Sequence, residues 1–151
     1  MTSRSPIDTA TGFLDALARG DSATAALDLA DDVVYTNVSL PTIRGSNKVA
    51  RLFARMDASP VSFDYRMVNV SSADTVVLTE RVDQISLGRL RLQFWVCGRF
   101  EVVDGRIAVW RDYFDYFDIT KALARGLLGL VIGSAVRPLH GSPKAGHALA
   151  E

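Results

Sequence analysis

Three polar signatures interrupt otherwise apolar segments of the chain: "YTN" at residues 35–37, "RVD" at 81–83 and "WRD" at 110–112. Each lies in a run of β-branched and aromatic residues, which predicts a strand. Successive side chains of a strand point to opposite faces. Thr79, Arg81 and Asp83 therefore share a face, as do Tyr35 with Asn37, and Trp110 with Asp112 and Phe114. If these faces point inward, Tyr35, Asn37, Arg81, Asp83 and Asp112 meet on the floor of a pocket. Buried charges are costly unless paired. Arg81 neutralises one carboxylate, and the second has no cation within the set. Desolvation and a neighbouring like charge both raise a carboxyl pKa. One carboxylate and one carboxylic acid are thus expected at neutral pH, which equips the site for general-base and general-acid chemistry together. Tyr35 and Asn37 can hold a water against the base. Spacing alone also fits blander roles: an exposed Arg–Asp pair, a half-buried Tyr35, a strand-end Asn37, and a Trp110 that is core or pocket wall.

The elements that position these residues follow from periodicity. "SPIDTATGFLDALAR" (5–19) predicts a helix capped by Ser5, with Pro6 in its first turn and Gly20 as its stop. "DSATAALDLA" (21–30) predicts a second, and "RGSNKVARLFARMD" a third, capped near Ser46 with Val49, Leu52, Phe53 and Met56 on its apolar face. A strand over 32–38 lies between them. From residue 61 the period changes to two, predicting strands at roughly 61–71, 74–85, 88–103 and 106–115, with Asp104-Gly105 a strong hairpin signal. "DITKALARGLLGLVIG" closes the domain as a helix, and its "LLGLVIGSAV" reads as a buried helix end. The fold class is α+β: helices on the concave face of a long curved sheet, enclosing a cone-shaped pocket and leaving the outer sheet face free for a second copy.

Length and composition narrow the function. The chain has 151 residues, 48% of them hydrophobic and 23% charged. That suits a domain over residues 1–135 with a flexible Gly/Pro/Ala-rich tail at 136–151. A net charge of zero argues against a nucleic-acid binder. Cys97 is the single cysteine, expected as a small buried hydrophobe; it permits no internal disulfide, and a cytoplasmic setting is expected. The N-terminus lacks a signal-peptide core, and no run is long enough to span a bilayer. His140 and His147 both fall in the tail. A core without histidine has no Ser-His or Cys-His pair and no His-built metal site. Neither metal nor cofactor is expected. Arg99 and Glu101 read as an exposed or interface pair.

"DDVVYTN", "VLTERVD" and "WRDYFD", in this order and at these separations, resemble the limonene-1,2-epoxide hydrolase family. The likeness covers roughly residues 6–130. It implies a cone-shaped fold of the nuclear-transport-factor-2-like type, helices on a curved mixed sheet, and a homodimer formed through the outer sheet face. It also implies roles: Asp112 as the base that activates water, Tyr35 and Asn37 as the groups that position it, Asp83 as the acid on the epoxide oxygen, and Arg81 as the bridge between carboxylates. The residues fit that chemistry. The commoner route through an Asp ester needs a His to activate the hydrolytic water, whereas attack by base-activated water in one step does not. A lining drawn from Leu52, Phe53, Met56, Phe94, Trp95, Trp110 and Phe114 favours a bulky lipophilic epoxide. An isomerase, a dehydratase or a ligand-binding protein of the same cone fold is the alternative, because one fold hosts many functions.

Overall fold

A computed structural model of the protein describes residues 4–132 and Leu139. The expected tail, with both histidines, otherwise lies outside the described residues. Helix α1 (Pro6–Ala18) starts as its sequence dictates: the Ser5 hydroxyl accepts the Asp8 N–H at 3.1 Å, and Pro6 stands at the first helical position. Ala10, Phe13, Leu14 and Leu17 recur on one side and are buried. Gly20, at φ 67°, takes the left-handed conformation that ends the segment.

Helix α2 (Ser22–Leu27) is shorter than expected. Leu29 is drawn into the sheet opposite Ile107, and the Asp28 carbonyl accepts the Ile107 N–H at 2.7 Å. Strand β1 (Leu29–Asn37) therefore begins three residues early. A two-residue strand, β2 (Ile43–Arg44), pairs with β1 and has no period to betray it. Ser46 is not the cap of α3 (Ser46–Asp57) but its first residue. The cap is Gly45, at φ 93°, whose N–H is held by the Val33 carbonyl at 2.8 Å. That β1 contact fixes the chain's path into α3 in place of a side-chain cap.

Four long strands follow: β3 (Val61–Ala73), β4 (Val76–Leu87), β5 (Leu90–Val103) and β6 (Arg106–Phe114). Asp104 and Gly105 both have positive φ, as a tight hairpin with Val103 opposite Arg106 requires. The sheet order is β2-β1-β6-β5-β4-β3, antiparallel except where β1 runs parallel to β6. Register shifts at Met67/Asn69 and Glu101/Val102 bend this open sheet. Helices α1 and α3 pack against the sheet through a core centred on Phe13, whose ring meets Trp110 edge-on at 4.9 Å.

Helix α4 (Tyr116–Val131) lies along β5. The β5–β6 pairing ends at Val96 opposite Phe114, so residues 90–95 would present a bare strand edge. Asp118 Oδ2 accepts the Trp95 N–H at 3.2 Å, and Arg125 donates to the Gln93 carbonyl at 3.3 Å. Only Ala122 and Gly126, one turn apart, are buried. The expectation of a buried helix end is corrected: Leu127, Leu128, Val131 and Ile132 are exposed because the small residues take the contact face.

Candidate active site

The strands bring all five expected polar residues to one cavity of about 260 Å³. Arg81 is fully buried on β4, and Asp83 and Asp112 are nearly so. Arg81 holds Asp83 with two bonds, Nε to Oδ1 at 2.8 Å and Nη2 to Oδ2 at 3.2 Å. The same Nη2 donates to Asp112 Oδ2 at 2.7 Å, so one planar guanidinium bridges two carboxylates. Its remaining fork, Nη1, donates to Thr79 Oγ1 at 3.1 Å. The parallel register of β1 and β6 sets Asn37 opposite Asp112 and Tyr35 opposite Trp110. Asn37 Nδ2 donates to Tyr35 Oη at 2.8 Å. The phenol proton therefore points elsewhere, and the Asn37 amide oxygen is left as an acceptor.

The electrostatics separate the groups. Burial pushes Asp83 up to about 6; the Arg81 charge opposes the rise and the Asp112 charge adds to it. At pH 7 roughly one Asp83 in ten then carries a proton. This is less than the full carboxylic acid expected from sequence, because Arg81 serves both carboxylates at once. Burial lowers the affinity of Arg81 for its proton, but Asp112 and Asp83 outweigh it and hold the guanidinium above its usual range. Burial, with Asp112 second, holds Tyr35 well above an ordinary phenol, so it remains a proton donor.

Phe53, Met56, Phe94, Trp110 and Phe114 line the cavity as expected. Leu52 and Trp95 do not. Leu52 is 42% exposed because Val49, Phe53 and Met56 occupy the inward side of α3. Trp95 is 50% exposed: it alternates with Phe94 and Val96 and so lies on the outer face of β5. Cys97 shares that outer face and is exposed, not buried. Arg99 and Glu101 form the expected partly exposed pair at 3.1 Å.

Other residues of the site carry little signal in the sequence. Leu17, Phe63, Ile85, Val96 and Ile119 complete the wall, contributed by five different elements that no local pattern links. Trp110 is more than wall: its indole N–H donates to Asp112 Oδ1 at 2.9 Å. Gly98 is the least expected. A Cβ there would meet Arg81 Nη1 and stand 2.6 Å from Thr79 Oγ1 and 3.0 Å from Asp112 Oδ1. A glycine inside an apolar strand is a known sign of close approach, and "WVCGRF" carried it. Among the described residues no cluster of His, Cys, Asp or Glu is suited to hold a metal ion.

This arrangement can take a proton from a bound water at Asp112 and give one to a departing oxygen at Asp83, inside a largely apolar wall. Comparison with known proteins identifies the family. Residues 4–125 match the model of the limonene-1,2-epoxide hydrolase catalytic domain. The chain is 48% identical over 122 residues, 81% of each chain, to epoxide hydrolase EphG of Mycobacterium tuberculosis. The structure of an M. tuberculosis epoxide hydrolase of this type superposes with a TM-score of 0.85 at 46% identity, covering 89% of this chain and 95% of that one. An NTF2-like protein of unknown function from Cytophaga hutchinsonii shares the fold, with a TM-score of 0.64 at 17% identity over 79% of this chain and 97% of that one.

Proposed function

The chain belongs to the limonene-1,2-epoxide hydrolase family and is an epoxide hydrolase, and we propose that it converts a bulky lipophilic epoxide to its vicinal diol in one step, without a covalent intermediate. The observation that carries this reading is the buried Asp83–Arg81–Asp112 bridge. In the proposed mechanism a water accepts from the Tyr35 hydroxyl and donates to the Asn37 amide oxygen and to Asp112. Its remaining lone pair faces the epoxide carbon. As that oxygen–carbon bond forms, Asp112 takes the water's proton. The carbon–oxygen bond of the ring breaks, and Asp83 protonates the departing oxygen. Afterwards Asp112 bears a proton and Asp83 bears none, and exchange with solvent restores both once the diol leaves. General acid and general base typically contribute about 10²–10⁴-fold each. No cofactor enters the proposed scheme.

The apolar wall supports a lipophilic substrate, since each buried CH₂ is worth about 0.8 kcal/mol. The outer sheet face supports a homodimer: Leu78, Trp95 and Tyr113 are exposed on it. We further read residues 1–135 as the functional domain, with 136–151 as a tail, and place the protein in the cytoplasm, where a lone exposed cysteine is at home. Among the described residues no helix is long and apolar enough to cross a membrane.

The test is a single turnover in ¹⁸O-water with enzyme in excess. Direct attack puts label into the first diol and none into Asp83 or Asp112. An unlabelled first diol, with ¹⁸O left on either aspartate, would overturn the one-step mechanism.

A further inference from the structure

A second cavity, of about 290 Å³, opens beside the first, and Leu17, Met56 and Phe63 line both. These side chains stand between the two spaces, and they are not equally fixed. Leu17 is buried on α1. Phe63 stacks on Tyr65 at 6.2 Å, and Tyr65 is anchored by a 2.6 Å hydrogen bond to Asp15 of α1. Met56 is half-buried, unbranched and flexible, so it is the part of the partition able to give way.

The second cavity differs in chemistry from the first. Arg19, Asp57, Ser59 and Ser62 are among its lining residues. Its frame is built: Asp57 Oδ2 accepts the Ser22 N–H at 2.9 Å, tying the end of α3 to the start of α2. The Ser59 hydroxyl is consumed locally, donating to the Met56 carbonyl at 2.7 Å and accepting the Val61 N–H at 3.2 Å. The charged groups left for a ligand are a guanidinium and a carboxylate, which balance. An anionic end would meet Asp57, and a cationic end would meet Arg19. A hydroxyl can accept from Arg19 and donate to Asp57.

Resting on the hydrolase reading above, we infer that the Arg19–Asp57 cavity is an outer subsite for the uncharged, hydroxyl-bearing end of an elongated epoxide, whose apolar body passes Met56 to place the ring beside Asp112. The substrate class is then an amphipathic epoxy-alcohol, apolar along its length and polar at the end remote from the ring. Neither Arg19 nor Asp57 belongs to the catalytic machinery.

The experiment uses the full chain and the double variant Arg19→Ala/Asp57→Asn, in which Asn keeps the acceptor for Ser22. Three terminal epoxides are compared: that of hexene, that of dodecene, and that of dodecene bearing a hydroxyl on its far carbon. The subsite predicts a kcat/KM about ten-fold lower for the hydroxylated substrate alone, about one hydrogen-bond equivalent to a charged group. Met56→Ala should raise kcat/KM for both twelve-carbon substrates relative to that of hexene. An equal effect of the double variant on all three, or none on the hydroxylated one, overturns the inference. Binding of dodecanediol, measured by calorimetry, needs no chemistry: its affinity should fall about ten-fold in the double variant, and an unchanged affinity is again fatal. Absence of turnover with every epoxide would sink the hydrolase reading, while the diol titration still decides the subsite.

Discussion

Asp83 and Asp112 sit on neighbouring sides of one guanidinium, yet their tasks in the proposed reaction are opposite, and pH tells them apart. Asp83 is pushed up to about 6, chiefly by burial. Its acid form is lost as pH rises through that value, so kcat/KM should fall about ten-fold per pH unit above it, the profile reporting the free enzyme. A profile that stayed level from about pH 6 to about pH 9 would remove Asp83 from the acid role. Asp83→Asn and Asp112→Asn should each lower turnover by about 10²-fold or more. Near-normal turnover in either would excuse that carboxylate. Gly98 acts through Arg81. The Cβ of Gly98→Ala would meet Arg81 Nη1 and press on Thr79 and Asp112. Displacing the fork shifts both carboxylates, and a misplacement near 1 Å can cost about 10²-fold. Gly98→Ala should therefore lose activity on that scale while remaining folded, with circular dichroism as the control. Full activity would mean that the fork has slack this packing does not show.

At the scale of elements, α4 substitutes for a strand. It covers the part of β5 that β6 does not reach, with Asp118 and Arg125 taking backbone groups of that edge and Gly126 allowing the approach. A Cβ at Gly126 would stand 2.7 Å from the Arg91 carbonyl. The same helix supplies Ile119 to the pocket wall, whereas the five polar site residues all stand on β1, β4 and β6. Gly126→Leu should therefore raise KM more than it lowers kcat. It should also speed amide exchange over residues 90–95, read by mass spectrometry. An equal loss in both kinetic constants, with exchange unchanged, would show that α4 does not position the wall independently of the floor.

For the whole molecule, the two sheet faces carry different work. The inner face holds the site. The outer face exposes Trp95, Leu78 and Tyr113 among polar neighbours such as Arg99 and Glu101. Exposed aromatic and aliphatic side chains ringed by polar groups suit an interface between copies. Trp95→Glu should convert a dimer to a monomer by light scattering at micromolar concentration, with the site's chemistry retained. A wild-type chain that is already monomeric there would refute the dimer reading.

Alternation alone put Arg81 with Asp83, Tyr35 with Asn37, and Trp110 with Asp112, because the strand period is a local property of the backbone and the structure keeps it. The same rule sets Trp95 opposite to Phe94, so only one of the two can face the pocket, and it is Phe94. The α+β order, the long antiparallel strands and the Asp104-Gly105 hairpin were legible for the same reason: period and turn chemistry are written within a few residues. What folding had to supply is every relation between distant elements. The parallel pairing of β1 with β6 brings Asn37 to Asp112 across the sheet. The approach of β5 leaves no free space beside Arg81 for a Cβ at residue 98. The burial of Ala122 and Gly126 turns a leucine-rich helix outward. Burial of Asp83, opposed by the guanidinium it shares with Asp112, places its proton near pH 6. Each of these depends on which surfaces meet, and burial and Coulomb energies exist only once they have met.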